Sequence, residues 1–363
     1  MRRYELGMAL TYAKSWGIRD AVREFFQNAI DEEKENPDNK MFYSYNEENG
    51  DLIIANKHSH LTPASLLMGN TSKEGKSELI GEHGEGYKVA TIVLLREGKT
   101  VRIYNNVDNE VWVSRIVKSR RYGTDIGCFD ISHDFFNKKY DLVIKIEGIT
   151  VDEWKDIIDS CLFLQEDLGK TLSANGSQVL LDPKFKGKIY VEGLYVCKKD
   201  FLHWGYNLRA NLVKLDRDRG LIDTFDLQWT LGSVFQEVKD ADFIAENLNT
   251  PDLQYVHVFL KNTAEEDIGY KVSDKVYSDF TSKNGEDAIP VDDVDEFNNL
   301  SRAGKNPVMV RSNIKKVIEL RMRDYSSEKP RTIEERFDDW YTEASHYLPK
   351  HLLSEINLLW RKK

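Results

Sequence analysis

From residue 8 to the Asn36-Pro37 break the chain reads as one long helix, in which Ala21, Val22, Phe25, Phe26, Ala29 and Ile30 recur at helical spacing. Glu24, Asn28 and Asp31 are threaded through this apolar pattern at i, i+4 and i+7 and share one face. A helix of this kind needs a core for one stripe and either solvent or a ligand for the other. An ordinary solvated row is the commoner outcome for a helix standing alone. The segments that follow argue for a ligand.

MFYSYN (41 to 46) and DLIIAN (51 to 56) read as two strands around Glu48-Asn49-Gly50, a hairpin-type turn. A short helix, a polar Gly/Ser/Lys loop and a second helix from about Tyr87 to Arg96 come next. The loop contains Gly69-Asn-Thr71-Ser72-Lys73, whose polar side chains are suited to closing over phosphates, or to a simple surface loop. It ends in Gly81-Glu-His83-Gly84-Glu85-Gly86 just before the second helix, where glycines let backbone amides approach an anion at a helix N-terminus. KTVRIYNN, EVWVSRIV and DLVIKIEG supply three more alternating strands. Residues 1 to 150 are therefore expected to form an α+β sandwich, a mostly antiparallel sheet covered by helices.

Thr150 and Glu153 form a capping box that opens a helix through Leu164, and a second mixed α/β domain is expected over 151 to 363. Its parts are a hairpin (KIYVEGLYVCKK), a helix from about Phe225 to Val238, an acidic, Pro-containing loop at 284 to 298 and a C-terminal helical pair at about 332 to 345 and 348 to 361. Lys and Arg number 21 against 23 Asp and Glu before residue 151, and 30 against 38 after it. The net charge of −10 argues against coating nucleic acid through bulk positive charge. Two short basic runs, Arg115, Lys118, Arg120 and Arg121, and Lys315, Lys316, Arg321 and Arg323, could touch nucleic-acid phosphates, but they lie among acids and read more simply as solvated faces. Cys128, Cys161 and Cys197 lack metal or disulfide-framework spacing and read as packing residues. With no signal-like or membrane-length apolar stretch, the expected location is cytoplasmic, with no membrane partner.

Glu24-Phe-Phe-Gln-Asn28-Ala-Ile-Asp31, then Gly69-Asn-Thr-Ser-Lys73, then Gly81-Glu-His-Gly84-Glu-Gly86-Tyr87-Lys88, in this order, resemble the Bergerat-fold ATPases, the GHKL superfamily, nearest the gyrase, mismatch-repair and microrchidia branches. The resemblance covers roughly residues 5 to 150. It implies an N-terminal Bergerat α/β sandwich followed by a transducer-like domain, with ATP and Mg²⁺ as cofactors. Asn28 would ligate Mg²⁺ through its side-chain oxygen and Glu24 would orient and deprotonate the attacking water. Asp31 would support the ion or pair with a lid lysine. Amides around His83 to Gly86 would cradle the phosphates, and Lys73 or Lys88 would neutralise charge on the transferring group.

Two departures bear on the base. The family's Asp-x-Gly-x-Gly is here Asn56-Lys-His58-Ser-His60, so Asn56 would accept the adenine amine without a charge. A Gly-Thr at the start of the last strand is here Tyr140-Asp141, and Asp141 is a candidate replacement for the missing carboxylate. In the second half, Lys214-Leu-Asp-Arg217-Asp-Arg219 offers Lys214, Arg217 or Arg219 as a γ-phosphate sensor, or else forms an internally neutralised cluster. The expected function is a Mg²⁺-dependent ATPase in which ATP closes a lid and switches a conformation, as a homodimeric clamp on a DNA or protein client. The competing expectations are a weakly hydrolysing or non-hydrolysing nucleotide-binding regulator that acts through protein binding, and a chaperone-like ATPase using the aromatic C-terminal helices.

Overall fold

The structure, a computed structural model, describes residues 1–66, 86–213, 224–260, 264, 266–322, 337, 340–341 and 348–360. The chain is a mixed α+β protein that divides into two compact units, Met1–Phe259 and Leu260–Lys363. The first unit contains two sheets.

The larger sheet is built from β1 (Arg2–Ala9), β2 (Phe42–Asn46), β3 (Asp51–Asn56), β4 (Thr100–Asn105), β5 (Glu110–Lys118), β6 (Asp125–His133) and β7 (Leu142–Glu147). Their order is β1-β6-β5-β4-β7-β3-β2, with every neighbouring pair antiparallel. Helices α1 (Ile18–Glu35) and α2 (Gly86–Arg96) pack on each other, and the period-2 pattern of the central strands explains which sheet face they cover. Leu52 and Ile54, Val101 and Ile103, and Leu142, Ile144 and Ile146 form one core with Phe25, Phe26, Ile92 and Val93. The opposite face carries the small apolar cluster of Ala55, Tyr104, Val111, Tyr140 and Val143. It also carries cross-strand ion pairs, among them Lys145 to Asp51 at 2.8 Å and Arg102 to Glu147 at 2.8 Å.

The helix expected from residue 8 begins only at Ile18, because residues 2 to 9 form the edge strand β1. Leu6 and Met8 are buried two apart, the spacing of a strand, and Gly7 adopts φ +65 where the pairing with β6 is interrupted. The intervening turn is held by Arg96, whose guanidinium donates to the carbonyls of Tyr12 (3.1 Å) and Trp16 (2.7 Å). At the helix start the Gly17 N–H donates to Asp20 Oδ2 at 3.0 Å. β6 was likewise absent from the sequence expectation.

The second sheet is formed by β8 (Thr171–Ala174), β9 (Ser177–Leu180), β10 (Lys188–Val191), β11 (Leu194–Lys198) and β12 (Gly205–Leu208), in the order β11-β10-β12-β9-β8. Only β10 and β12 run parallel. Helix α3 (Val151–Ser160) opens with the expected box: Thr150 N–H donates to Glu153 Oε2 at 2.7 Å and Glu153 N–H to Thr150 Oγ1 at 3.3 Å. The expected boundary at 150/151 falls inside this unit. Cys161 and Leu194 belong to the same core as Phe26, and Phe163 meets the Phe26 ring edge-on at 5.2 Å. Helices α4 (Thr224–Glu237), α5 (Ala241–Asn247) and α6 (Val256–Phe259) complete the unit.

The second unit contains α7 (Ile268–Asn284), β13 (Ala288–Val291), α8 (Val294–Arg302), β14 (Asn306–Met309), α9 (Ser312–Met322) and α10 (Lys350–Trp360). The acidic segment 284 to 298 is thus not a loop. Its apolar Ala288–Val291 pairs in parallel with β14, and Asp293 caps α8 by accepting the Glu296 N–H at 2.9 Å. Most of the expected helix at 332 to 345 lies outside the described residues. No described helix is long and apolar enough to cross a membrane.

Candidate functional site

The polar row of α1 is not a solvated face. Glu24 and Asp31 are 1% and 0% exposed, Gln27 between them is 1% exposed, and only Asn28 is half-buried. Lys88, in the first turn of α2, is 0% exposed. Two carboxylates and an ammonium are therefore buried in a two-helix layer, where Arg23, Gln27 and Thr91 are the other buried polar side chains among apolar ones. Desolvating such groups costs several kcal/mol each unless pairing and hydrogen bonding offset it, so their burial fixes them in place.

Gly86 explains how Glu24 fits. A Cβ built on Gly86 would collide with Glu24 Oε2, so the missing side chain admits the carboxylate against the start of α2. Gly86 does not have a left-handed backbone, and its value here is space. The position also suits the charge, since the N-terminal end of a helix carries partial positive charge. On its other side Glu24 Oε1 lies 3.5 Å from the Arg23 guanidinium.

Tyr87 joins the two chain ends that flank residues 67 to 85. Its hydroxyl donates to the Ser65 carbonyl at 2.6 Å and lies 2.9 Å from Ser65 Oγ. Burial pushes the Tyr87 hydroxyl up to about 12, with the Ser65 hydrogen bond opposing the rise, so it stays a neutral donor. The cradle and lid candidates Gly69, Thr71, Ser72, Lys73, Gly81, His83, Gly84 and Glu85 lie outside the described residues, as do Lys214, Arg217 and Arg219.

The strand end that should meet a base is organised by amides. Asn56, 3% exposed, donates from Nδ2 to the carbonyls of Ala29 (3.2 Å) and Asn39 (3.1 Å). Asn39 in turn accepts the His58 N–H at 2.8 Å and donates to Ser59 Oγ at 2.9 Å, fixing the loop after β3. Asp141 precedes Leu142, the register partner of Asn56, and its carboxylate is 4.0 Å from His58 Nδ1. His60 Nε2 lies 2.6 Å from Asp108. The two histidines have separate carboxylate neighbours, and among the described residues no three His, Cys, Asp or Glu side chains are grouped to hold a metal ion.

Sequence reasoning missed Arg23, Asn39 and Asn105. Asn105 was accessible through strand parity, as a polar residue in the inward series Val101, Ile103, Asn105. The basic runs are partly neutralised: Arg115 is 3.3 Å from Asp130, Lys315 is 3.0 Å from Asp292 and 2.7 Å from Glu296, and Arg321 is 2.7 Å from Asp274. Cys128 and Cys161 are buried and Cys197 is half-buried. Among known proteins, no family model and no curated protein matches the chain.

Proposed function

We propose that the chain is a Mg²⁺-dependent ATPase of the Bergerat, GHKL type, in which ATP binding and hydrolysis switch the conformation of a clamp on a DNA or protein client. The observation that carries this reading is the buried Glu24 carboxylate seated against Gly86 at the start of α2, one helical turn from the half-buried Asn28. A carboxylate so placed is oriented and shielded, as a general base must be.

The described residues fit Mg²⁺ in a limited way. Asn28 offers one neutral oxygen near the accessible side of the row, which suits an ion that keeps several waters and takes the rest of its ligands from phosphates. When bound, the ion would offset negative charge on the triphosphate. The protein's own step is proton transfer: Glu24 takes a proton from the attacking water as the water oxygen bonds to the γ-phosphorus and the bond to the β,γ-bridging oxygen breaks, releasing ADP. Lys88 and the amides at the start of α2 supply positive potential. Asn56 Oδ1, with its amide nitrogen held by two carbonyls, faces the base as an acceptor.

Helix α1 also offers a route for switching. Arg23, next to Glu24 in the chain, donates to the Tyr195 carbonyl at 3.0 Å, and Lys34 pairs with Glu192 at 2.7 Å. Glu192 additionally accepts the Ala210 N–H at 2.8 Å. A shift of α1 on nucleotide binding would therefore pull on the β10–β11 hairpin and on the turn that leads toward residue 214.

The test is Mg²⁺-dependent phosphate release from ATP by wild type and Glu24→Gln. Turnover should fall on the order of 100-fold or more in the variant with nucleotide affinity retained. Equal turnover in the two proteins would sink the assignment of Glu24, and ATP binding without turnover in either would favour the regulator.

A further inference from the structure

Asn56 and Asn105 are register partners of the same residue, Leu142, one from each side. The three residues form a row across β3, β7 and β4. Parity places the row on the helix-covered face, with Leu52 and Ile54, Ile144 and Ile146, and Val101 and Ile103. Two strand spacings separate the asparagine Cα atoms, roughly 10 Å.

The two amides are used in opposite senses. Asn56 gives its Nδ2 to the Ala29 and Asn39 carbonyls and keeps Oδ1 for another group. Asn105 accepts the Leu61 N–H on its Oδ1 at 3.1 Å, while its Nδ2, in a residue 0% exposed, has no hydrogen-bond partner among the described residues. Because carbonyls can meet only the NH₂ end and an N–H only the oxygen, both amide orientations are fixed by their backbone partners. The row thus presents an acceptor, an apolar floor and an unmet buried donor. An unmet buried donor is unfavourable, and a ligand acceptor would relieve it.

We propose that Asn105 is a specificity-determining residue for the base, an inference that rests on the ATP reading above. Its Nδ2 donates to a ring nitrogen of adenine while Asn56 Oδ1 accepts the exocyclic amine. Adenine supplies the complementary donor and acceptors, and its flat face can lie over Leu142. A 6-oxo purine places an oxygen against the Asn56 oxygen and is rejected.

The experiment measures binding to the full chain with Mg²⁺ by calorimetry, using ATP, ITP and the 1-deaza, 3-deaza and 7-deaza analogues of ATP. Wild type should bind ITP at least tenfold more weakly than ATP, and loss of one of the three ring nitrogens should weaken binding at least tenfold. Asn105→Asp keeps an oxygen for the Leu61 N–H but removes the donor. It should weaken ATP at least tenfold and become indifferent to the deaza replacement that matters in wild type. The analogue series on wild type carries the test alone should the variant fail to fold. ATP binding with all three deaza analogues equal to ATP would overturn the role of Asn105 and leave the ATP reading standing. Absence of binding by any nucleotide would overturn both.

Discussion

At the scale of single residues, Gly86 links sequence to chemistry most directly. In the sequence it is one of three glycines in a short run, and such runs invite an explanation by backbone freedom. In the structure its backbone is ordinary, and what excludes a side chain is the Glu24 carboxylate. Gly86→Ala should therefore displace that carboxylate. The colliding atom is the end of a side chain, so the fold can yield cheaply: we expect the melting midpoint to move by no more than about 3 °C, roughly 1 kcal/mol. Positioning is far less tolerant, and ATP turnover should drop on the order of 100-fold. Unchanged turnover in a folded Gly86→Ala protein would mean that the position of Glu24 is irrelevant to the chemistry. The polar row itself was legible, since Glu24, Asn28 and Asp31 follow from helical spacing. Its burial was not, because spacing defines a face and only the packing of a second helix decides whether that face is wet.

At the scale of elements, the hairpin of β2 and β3, the strands β4, β5 and β7, and helix α2 were legible from alternation and turn residues. Strand β1 and the start of α1 were not. Met8, Ala9 and Leu10 fit a helical run as well as a strand, and only pairing with β6 settles the matter. That edge pairing has an electrostatic component. Asp130 on β6 receives Arg3 of β1 at 2.7 and 2.9 Å, with Arg115 of β5 at 3.3 Å. The Arg3 hydrogen bonds hold the Asp130 carboxyl below its usual range, and the nearby positive charges outweigh the burial that opposes this. Glu147 is pushed up by burial, but hydrogen bonds from Arg102 and Lys145 bring it below its ordinary value. A carboxylate whose folded pKa is depressed contributes stability that is complete above its unfolded pKa and is lost as pH falls through the folded one. Stability should therefore be insensitive to these groups near neutrality and fall as pH drops through and below about 4. Urea midpoints measured from pH 7 to pH 3 should show this slope, and Asp130→Asn should flatten it. A slope unaffected by that substitution would remove the Arg3–Asp130 pair as a source of acid sensitivity.

At the scale of the whole molecule, the sequence placed a boundary at 150/151 because a capping box opens there and the motif-bearing part ends. The capping box forms, but a capped helix marks the start of an element and carries no information about which core that element joins. Here α3 and the strand β11 bring Cys161 and Leu194 into the core beneath α1, with Phe163 against Phe26 and Tyr195 accepting from Arg23. Contacts so distant in sequence leave no periodic signal. Burial of Leu194 is worth about 1.5–3 kcal/mol and that of the half-buried Phe163 about half as much, and the Arg23 hydrogen bond adds about 1 kcal/mol. Together these approach the lower end of the roughly 5–15 kcal/mol that separates folded from unfolded domains. A fragment of residues 1–150 should consequently aggregate or melt at least about 10 °C below a fragment of residues 1–259, which should unfold in one cooperative transition by circular dichroism. Equal midpoints would show that the N-terminal sandwich is self-sufficient and that its contacts with the second sheet contribute nothing to its stability. The predicted dependence would instead tie the second sheet to the buried polar row, since the helix that bears Glu24 and Asp31 cannot move without disturbing a core that both sheets share.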